Sequence, residues 1–190
     1  MFQVLFDFIR QLVDIPERDQ EYCLEFFKPF FVKKGTLLES AGMTHKYHNF
    51  IVSGYMRNFY HDVNGREVTT DLNDGPRFFT SYNSFINQVA SNENLHCITD
   101  CKLLRINRED NDTIAKIGIK SQEYIEKILQ HYLESSKQRI IDLKTLTAKE
   151  RYLKMLQDHP SIIKNIPIAY IASFLGINPG SLSRIRQELS

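Results

Sequence analysis

Apolar and polar residues alternate along this chain with periods that change twice, and each period predicts a different kind of element. Residues 1–26 repeat large apolar side chains at intervals of three or four, which is typical of amphipathic helices. Pro16 interrupts this stretch, so we expect two helices, the second running from Glu17 to Phe27. The apolar positions of the first helix are Phe2, Leu5, Phe6, Ile9, Leu12 and Val13.

The middle of the chain, from Phe27 to about Asp110, has a different pattern. Short runs of β-branched and aromatic residues are separated by turn signals at intervals of roughly ten residues, which predicts an all-β sandwich or barrel. The clearest hairpin is HDVNGREV, in which Asn64-Gly65 fits the positive φ angles of a type I′ turn. Its strands would be YMRNFY and EVTTDL, and NLHCITDCKLLRINRE predicts the last strands of the unit.

A long helix is predicted by SQEYIEKILQHYLESSKQRIIDLKTL, residues 121–146. A helix of this length needs a partner for its apolar stripe. Two interpretations stay open: the stripe packs on the β unit of its own chain, or it pairs with a second copy in a homodimer, which we favour. The stripe positions are Ile125, Leu129, Tyr132, Ser136, Ile140, Leu143 and Leu146.

The next helix begins at a recognisable capping box. Thr147 and Glu150 match the S/T-x-x-E pattern, and Pro160 is expected to end the helix. We expect its core-facing residues to be Tyr152, Leu153 and Leu156, together with Met155.

The last stretch, IPIAYIASFLGINPGSLSRIRQELS, predicts two short helices joined by a turn. Gly176 suits the left-handed residue that ends a helix, and Asn178 followed by Pro179 suits the start of the next one. This spacing is that of a helix-turn-helix, whose second helix enters the major groove of DNA. Leu182, Ile185 and Leu189 would point inward. The candidate DNA-binding residues on the outer side are Asn178, Gly180, Ser181, Ser183, Arg184, Arg186 and Gln187.

Charge supports this interpretation only locally. The whole chain of 190 residues has a net charge of +1, so its composition alone does not indicate nucleic-acid binding. From Lys137 to Ser190, however, nine basic residues stand against four acidic ones, a net charge of +5. The basic charge is therefore concentrated in the part that a DNA duplex would contact.

Composition also limits the setting in which the protein works. The three cysteines, Cys23, Cys97 and Cys101, are odd in number and fit a reducing compartment better than a disulfide framework. The apolar N-terminus contains Asp7 and Arg10 and lacks the pattern of a signal peptide or a membrane span. We therefore expect a cytoplasmic protein without a membrane partner.

The order of parts, a β-roll, a long helix and a helix-turn-helix, resembles the bacterial Crp/Fnr superfamily of transcription regulators. The most specific stretches are TAKERYLKML and IPIAYIASFLGINPGSLSRIR, supported by the glycines of KKGTLLESAG and FIVSGYMRNFY. The resemblance implies an α+β fold with N-terminal helices, an antiparallel β-roll of the jelly-roll type, a dimerisation helix and a winged-helix-type helix-turn-helix. The implied units are a sensor roll at 1–118, a dimerisation helix at 119–146 and a DNA-binding domain at 147–190. Implied partners are double-stranded DNA, a second copy, an unknown small-molecule effector and, for an activator, RNA polymerase.

The effector pocket is where the chain departs from that resemblance. Relatives that bind cyclic AMP carry a Gly-Glu pair and, further on, an Arg-Ser pair. These pairs align with Thr80-Ser81 and Ser91-Asn92, so the cation for the cyclic phosphate is missing, although Arg77 is a speculative substitute. We predict that cyclic AMP is not the ligand and that no cofactor is required. The candidate pocket residues are Arg77, Phe79, Thr80, Ser81, Tyr82, Ser91 and Asn92.

Two other classes compete with a regulator. A cupin-like protein would hold a small molecule or a metal in the β-roll, using histidines such as His45, His48, His61 and His96, but their spacing is not that of a metal motif. An interaction module without DNA would use the C-terminal helices only to cap a dimer. Since neither a catalytic triad order nor a phosphate-binding loop occurs, we predict no enzyme activity and no metal site.

Overall fold

Two N-terminal helices, a β-roll and a helical C-terminal half follow one another in the computed structural model, which describes residues 1–73 and 75–189. The final residue of the predicted DNA-binding domain, Ser190, lies outside the described residues. The elements of the first half are α1 (Phe2–Arg10), α2 (Glu17–Phe26), β1 (Lys28–Val32), β2 (Leu37–Glu39), β3 (Tyr47–Ser53), β4 (Met56–His61), β5 (Glu67–Leu72), β6 (Arg77–Phe78), α3 (Tyr82–Asn87), β7 (Asn94–Cys97) and β8 (Cys101–Asn107). The helices that follow are α4 (Arg108–Ile117), α5 (Ser121–Thr145), α6 (Ala148–Asp158), α7 (Pro160–Asn165), α8 (Ile168–Leu175) and α9 (Pro179–Glu188).

The β-roll consists of two antiparallel sheets with strand orders β1-β8-β3-β6 and β2-β7-β4-β5. Ile51, Met56, Leu95 and Leu103 are fully buried between the two sheets. Sequential strands such as β3 and β4 lie in different sheets, as in a jelly roll. The predicted α+β class and β-roll are confirmed.

The apolar stripe of α1 packs on the outer face of the first sheet. Leu5 from the helix joins Phe50 and Leu104 from the strands in one buried cluster. A separate cluster forms around the C-terminal helices and includes Leu72 and Ile98 from the roll. The C-terminal domain therefore shares its core with the roll instead of standing apart from it.

The turn between β4 and β5 differs from the predicted type I′. Gly65 has a φ of +75°, but Gln88 is the only non-glycine residue with positive φ in the described parts of the chain, so Asn64 does not take the conformation that a type I′ turn requires. The Asp62 carboxylate accepts bonds from the backbone N–H groups of Asn64 and Arg66 at 2.8 and 3.0 Å. This side-chain bonding stabilises a longer loop in which glycine alone is left-handed.

The helical half contains two helices that the sequence pattern did not predict. Helix α4 begins where the Asn107 side chain accepts a bond from the backbone of Asp110, and α7 begins at Pro160 directly after α6 ends. The long helix spans Ser121–Thr145, close to the expected 119–146. The capping box of Thr147 and Glu150 is present in both directions.

Three residues expected to face the core do not. Tyr152 and Met155 of α6 are buried, but Leu153 and Leu156 are exposed, because the helix uses the face of positions 152 and 155 against α8 and α9. Leu189 follows the end of α9 and is exposed as well.

Residues 147–189 contain helices and no strand. The helix-turn-helix is thus present, whereas the β wing implied by the winged-helix resemblance does not occur in the described part of this domain. None of the helices within the described residues is long and apolar enough to cross a lipid bilayer.

Candidate nucleic-acid interface and effector site

The turn between α8 and α9 has the geometry that the sequence predicts. Gly176 ends α8 in the left-handed conformation, with φ 64° and ψ 37°. The Asn178 side-chain oxygen accepts a bond from the Gly180 backbone N–H at 2.9 Å, and Pro179 occupies the first turn of α9. Ile177 is buried beneath the turn. The relative position of the two helices is therefore fixed by local bonds and by one apolar anchor.

Helix α9 presents a polar face to solvent. Leu182 is fully buried against α8 and Ile185 is half-buried, so the opposite side of the helix is free of core contacts. Of the seven candidate DNA-binding residues, Ser181 is half-buried, while the other six are exposed: Asn178, Gly180, Ser183, Arg184, Arg186 and Gln187. The side chain of Asn178 serves as the helix cap, and Ser183 bonds to the Pro179 carbonyl at 3.0 Å.

Arg151 of α6 braces the turn and was not singled out by the sequence pattern. Its guanidinium donates to the carbonyl oxygens of Leu175 at 2.9 Å and Leu146 at 2.6 Å, and to that of Gly176 at 3.5 Å. These bonds satisfy carbonyls at the ends of α5 and α8, where a helix has no partners of its own. Arg151 therefore stabilises the arrangement of the helices in the head, and its guanidinium donors are occupied by these carbonyls.

The first helix of the motif, α8, lies against the edge strand β5 of the roll. The Thr69 backbone N–H donates to the Ser173 hydroxyl at 2.9 Å, and that hydroxyl reaches the Glu67 carbonyl at 3.3 Å. The Tyr170 ring covers the buried guanidinium of Arg57, with 3.6 Å between the guanidinium carbon and the ring centroid. The candidate DNA-binding head is thus attached to the β-roll of its own chain.

Arg139 of the long helix bonds both units. Its guanidinium donates to the Thr70 carbonyl of β5 and, at 3.0 Å, to the Phe174 carbonyl of α8. The same group lies 4.0 Å from the centroid of the Phe174 ring. Burial lowers the pKa of Arg139, against the opposing effect of Asp71. Since arginine stays charged in proteins, these two carbonyls hold a cation.

The positive charge of the C-terminal third is only partly available to a duplex. Lys154 is paired with Asp142 at 2.6 Å and Lys149 with Glu188 at 3.4 Å. Lys137, Lys144, Lys164 and Arg184 are exposed, and none of them forms a salt bridge within the described residues. The candidate duplex surface is accordingly weaker in charge than the sequence count suggests.

The predicted effector residues make contacts with different parts of the chain. Ser91 donates from its hydroxyl to the Ser81 hydroxyl at 3.0 Å, and both are buried inside the roll. Thr80 bonds instead to the Tyr47 carbonyl at 3.1 Å, and Asn92 is exposed. The two serines therefore bond each other at the place where the alignment puts the ribose and phosphate contacts of the cyclic-AMP-binding relatives.

Phe79, Tyr82 and Arg77 lie elsewhere. Phe79 is buried in the roll, and Tyr82 lines a cavity under the N-terminal helices. Arg77 forms an ion pair with Asp71 at 2.7 Å and lies 5.4 Å from the Tyr132 ring centroid. Burial alone would lower the pKa of Arg77, but Asp71 and Tyr132 raise it above its usual value. With its charge already balanced, Arg77 is poorly suited to replace the missing phosphate ligand.

The long helix α5 turns part of its predicted dimer stripe toward its own roll. The Tyr132 hydroxyl donates to the Phe78 carbonyl at 2.5 Å, and Ile125 is half-buried over the cavity lined by Tyr82. Leu129, Ser136, Ile140 and Leu143 remain exposed, and Leu133, which was not predicted, is 70% exposed on the same stripe. Packing on its own roll thus accounts for Ile125 and Tyr132, whereas the exposed residues have no cover within the described part of the chain.

The histidines named for a metal site are scattered. His45 is buried in the roll, and His96 accepts a bond from Arg57 at 3.2 Å. Burial lowers the pKa of His48 to about 4, against a bond from Asn111 that raises it. Among residues 1–73 and 75–189, no three His, Cys, Asp or Glu side chains come together in a way that would hold a metal ion.

Comparison with known proteins identifies the fold. No family model matches the sequence, and no curated protein does. Among solved structures, FixK2 from Bradyrhizobium japonicum is 16% identical with a TM-score of 0.74, over 86% of this chain and 84% of that one. The regulator CLP from Xanthomonas campestris, described as c-di-GMP responsive, is 16% identical with a TM-score of 0.70, over 92% and 91%. The catabolite activator protein from Thermus thermophilus is 16% identical with a TM-score of 0.59, over 94% and 85%. At these identities the likeness shows the fold alone, and the chain shares the fold of these three proteins.

Proposed function

We propose that this chain is a DNA-binding transcription regulator that works as a homodimer. The observation that supports it most is the capped α8–α9 unit, whose second helix carries Ser183, Arg184 and Gln187 on an exposed face. Arginine donates to guanine edges or to phosphates, and the start of such a helix meets base edges in the major groove. The similar solved structures include proteins described as regulators, which agrees with this proposal.

DNA binding is tested by selecting duplexes from a random library and measuring affinity by fluorescence anisotropy. We expect Arg184→Ala to weaken binding to the selected duplex by about 5- to 100-fold, because one arginine contact contributes about 1–3 kcal/mol. Arg66→Ala is the control, since Arg66 is an exposed arginine in the loop between β4 and β5 that pairs with Asp62. Equal affinity of the Arg184→Ala and wild-type proteins would contradict the proposal that α9 is the recognition helix.

Homodimerisation is proposed along the exposed stripe of α5, which contains Leu129, Leu133, Ser136 and Ile140. A stripe at this spacing is suited to pair with its own copy in a parallel coiled coil. We expect Ile140→Asp to shift sedimentation from dimer to monomer, whereas Ile141→Asp, on the next position around the helix, leaves the dimer intact. A monomeric wild-type protein at micromolar concentration would contradict the dimer.

We further propose that cyclic AMP is not the effector. The Ser81–Ser91 bond takes the place of the charged contacts, and Glu93 beside it adds an acid that accepts from Thr70 at 2.9 Å. Losing a charge-assisted bond to a phosphate costs about 1.5–3 kcal/mol. Isothermal titration is therefore expected to give no saturable binding below millimolar cyclic AMP, and a micromolar dissociation constant would contradict the proposal.

A further inference from the structure

A cavity of about 110 Å³ lies between the N-terminal helices, the first sheet of the roll and the start of the long helix. It is separate from the Ser81–Ser91 position inside the roll. Its walls come from five parts of the chain, so it is formed only in the folded protein. The apolar residues that line it are Ile9, Val13, Ile15, Cys23, Phe27, Phe78, Ile114, Ala115, Ile125 and Ile128.

One polar atom of the wall has no bonding partner. The hydroxyl of Tyr124 is buried and makes no hydrogen bond within the described residues. A buried hydroxyl without a partner is costly, and such groups in folded proteins call for an explanation. Burial also raises the pKa of Tyr124 well above its usual value, so this hydroxyl keeps its proton.

The charged groups at the wall already have partners. The Asp19 carboxylate accepts from the backbone N–H groups of Ile119 and Lys120, both at 2.8 Å. The Ser121 hydroxyl donates to the Ile114 carbonyl at 2.9 Å, and the Lys120 ammonium pairs with Glu123 at 2.6 Å. The wall within the described residues therefore offers a charged ligand no free counter-charge, and a charged ligand would lose its hydration without compensation.

We propose that this cavity binds a small uncharged molecule, about the size of one aromatic ring, with a single oxygen that bonds to the Tyr124 hydroxyl. The volume limits the ligand to about one ring, because it lies below the volume of about 150 Å³ at which an apolar cavity in another protein binds benzene. The His48 ring stacks on Phe78 at 4.4 Å between centroids and contributes an aromatic wall. A flat ring with one hydroxyl or carbonyl oxygen would satisfy both the apolar wall and the unpaired hydroxyl.

A ligand bound in this cavity would also contact the long helix. Tyr124, Ile125 and Ile128 belong to the first two turns of α5, whose far end bonds the α8–α9 head through Arg139. Binding here is a property of the sensor half alone and does not depend on whether α9 contacts DNA.

The test compares phenol, benzene and benzoate by isothermal titration against the full-length protein. Phenol is expected to bind saturably and about 2- to 10-fold more tightly than benzene, which corresponds to one net hydrogen bond. Benzoate, of similar size but charged, is expected to bind at least tenfold more weakly than phenol.

Two variants locate the binding. Tyr124→Phe is expected to make phenol and benzene bind equally, whereas Tyr132→Phe, also on α5, keeps the preference for phenol. Ala115→Leu fills the cavity without lowering helix propensity and is expected to abolish binding of both probes. Circular dichroism confirms folding, and Ile125→Phe replaces Ala115→Leu if that variant does not fold.

Four outcomes would each overturn the proposal. These are no saturable binding of phenol to the wild-type protein, benzoate binding as tightly as phenol, a preference for phenol that survives Tyr124→Phe, and unchanged binding to the filled variant. The DNA-binding test on Arg184 is independent, so either proposal can fail without the other.

Discussion

The long helix α5 is held in different ways at its two ends. Near its start, Tyr124, Ile125 and Ile128 lie over a cavity, and one buried hydroxyl lacks a partner. Near its end, Arg139 donates to carbonyl oxygens of both the roll and the head. Apolar contacts are non-directional, whereas bonds to backbone oxygens favour one geometry. We therefore expect the start of α5 to tolerate substitution better than its bonded end.

The largest effect is expected from Arg57→Ala, where β4 of the roll contacts α8 of the head. Arg57 is buried, bonds Glu67, and lies between the rings of Phe59 and Tyr170. Since Glu67 is half-exposed, most of the loss comes from ring contacts and from the space left behind, about 2–4 kcal/mol in the free energy of unfolding. Urea denaturation measures it. Arg66→Ala, which removes an exposed side chain that pairs with Asp62, is expected to cost less than about 0.5 kcal/mol, and equal losses would refute the distinction.

Arg139→Gln addresses the connection between roll and head directly. It removes bonds from a charged donor to two carbonyls, which we expect to cost about 1.5–3 kcal/mol. Hydrogen exchange should speed up in α8 more than in α1, because α8 loses its bond at the Phe174 carbonyl. Lys137→Gln, exposed on the same helix, is the control, and uniform exchange in both variants would contradict a local role.

The cavity end should give a pH dependence through His48. Burial holds the pKa of His48 at about 4 against about 6.5 when unfolded, so its contribution is complete above pH 6.5 and is lost as the pH falls toward 4. We expect the free energy of unfolding to fall by about 1–3 kcal/mol over that window. The value should lie near the lower limit because the ring borders the cavity. Urea denaturation of the wild-type protein and of His48→Phe between pH 4 and 7 isolates this contribution. Parallel curves would show that His48 takes no part.

The smallest effects separate two tyrosines about two turns apart on α5. Tyr132→Phe removes a bond to the Phe78 carbonyl and should cost about 0.5–1.5 kcal/mol. Tyr124→Phe removes a hydroxyl that has no partner, so stability should stay equal or rise by up to about 1 kcal/mol. Thermal denaturation of both variants tests the sign. A loss at Tyr124 as large as that at Tyr132 would mean that its hydroxyl is already bonded.

Short-range chemistry explains what the sequence could predict. The capping box at Thr147, the left-handed Gly176 and the Asn178 cap each depend on a few neighbouring residues, and all three occur as expected. The turn at Asn64 was mispredicted because a carboxylate at Asp62 bonds the local backbone, which a dipeptide signal does not include.

Contacts between residues that are distant in sequence could not be predicted from such local patterns. Arg57, Arg139 and Arg151 are charged residues in an ordinary polar pattern, and only the fold shows that they bond buried groups. The effector residues were chosen by aligned position, and in the fold the side chains of Tyr82 and Arg77 make other contacts than the two serines do. Leu133 was left out of the stripe although its spacing fits. The sequence alone does not show which side of α5 packs on the roll, so it does not show which apolar residues remain exposed.

Strand β5 is an edge of its sheet, and the Ser173 hydroxyl on α8 covers the Thr69 N–H and the Glu67 carbonyl there. An uncovered edge of this kind can template pairing with a strand of another molecule. If the head moves away from the roll to bind a duplex, those backbone groups lose their hydrogen-bond partner and become exposed to solvent. Detachment of the head would then expose the roll to self-association through this edge. The protein should therefore aggregate most readily in the state in which α8 is detached.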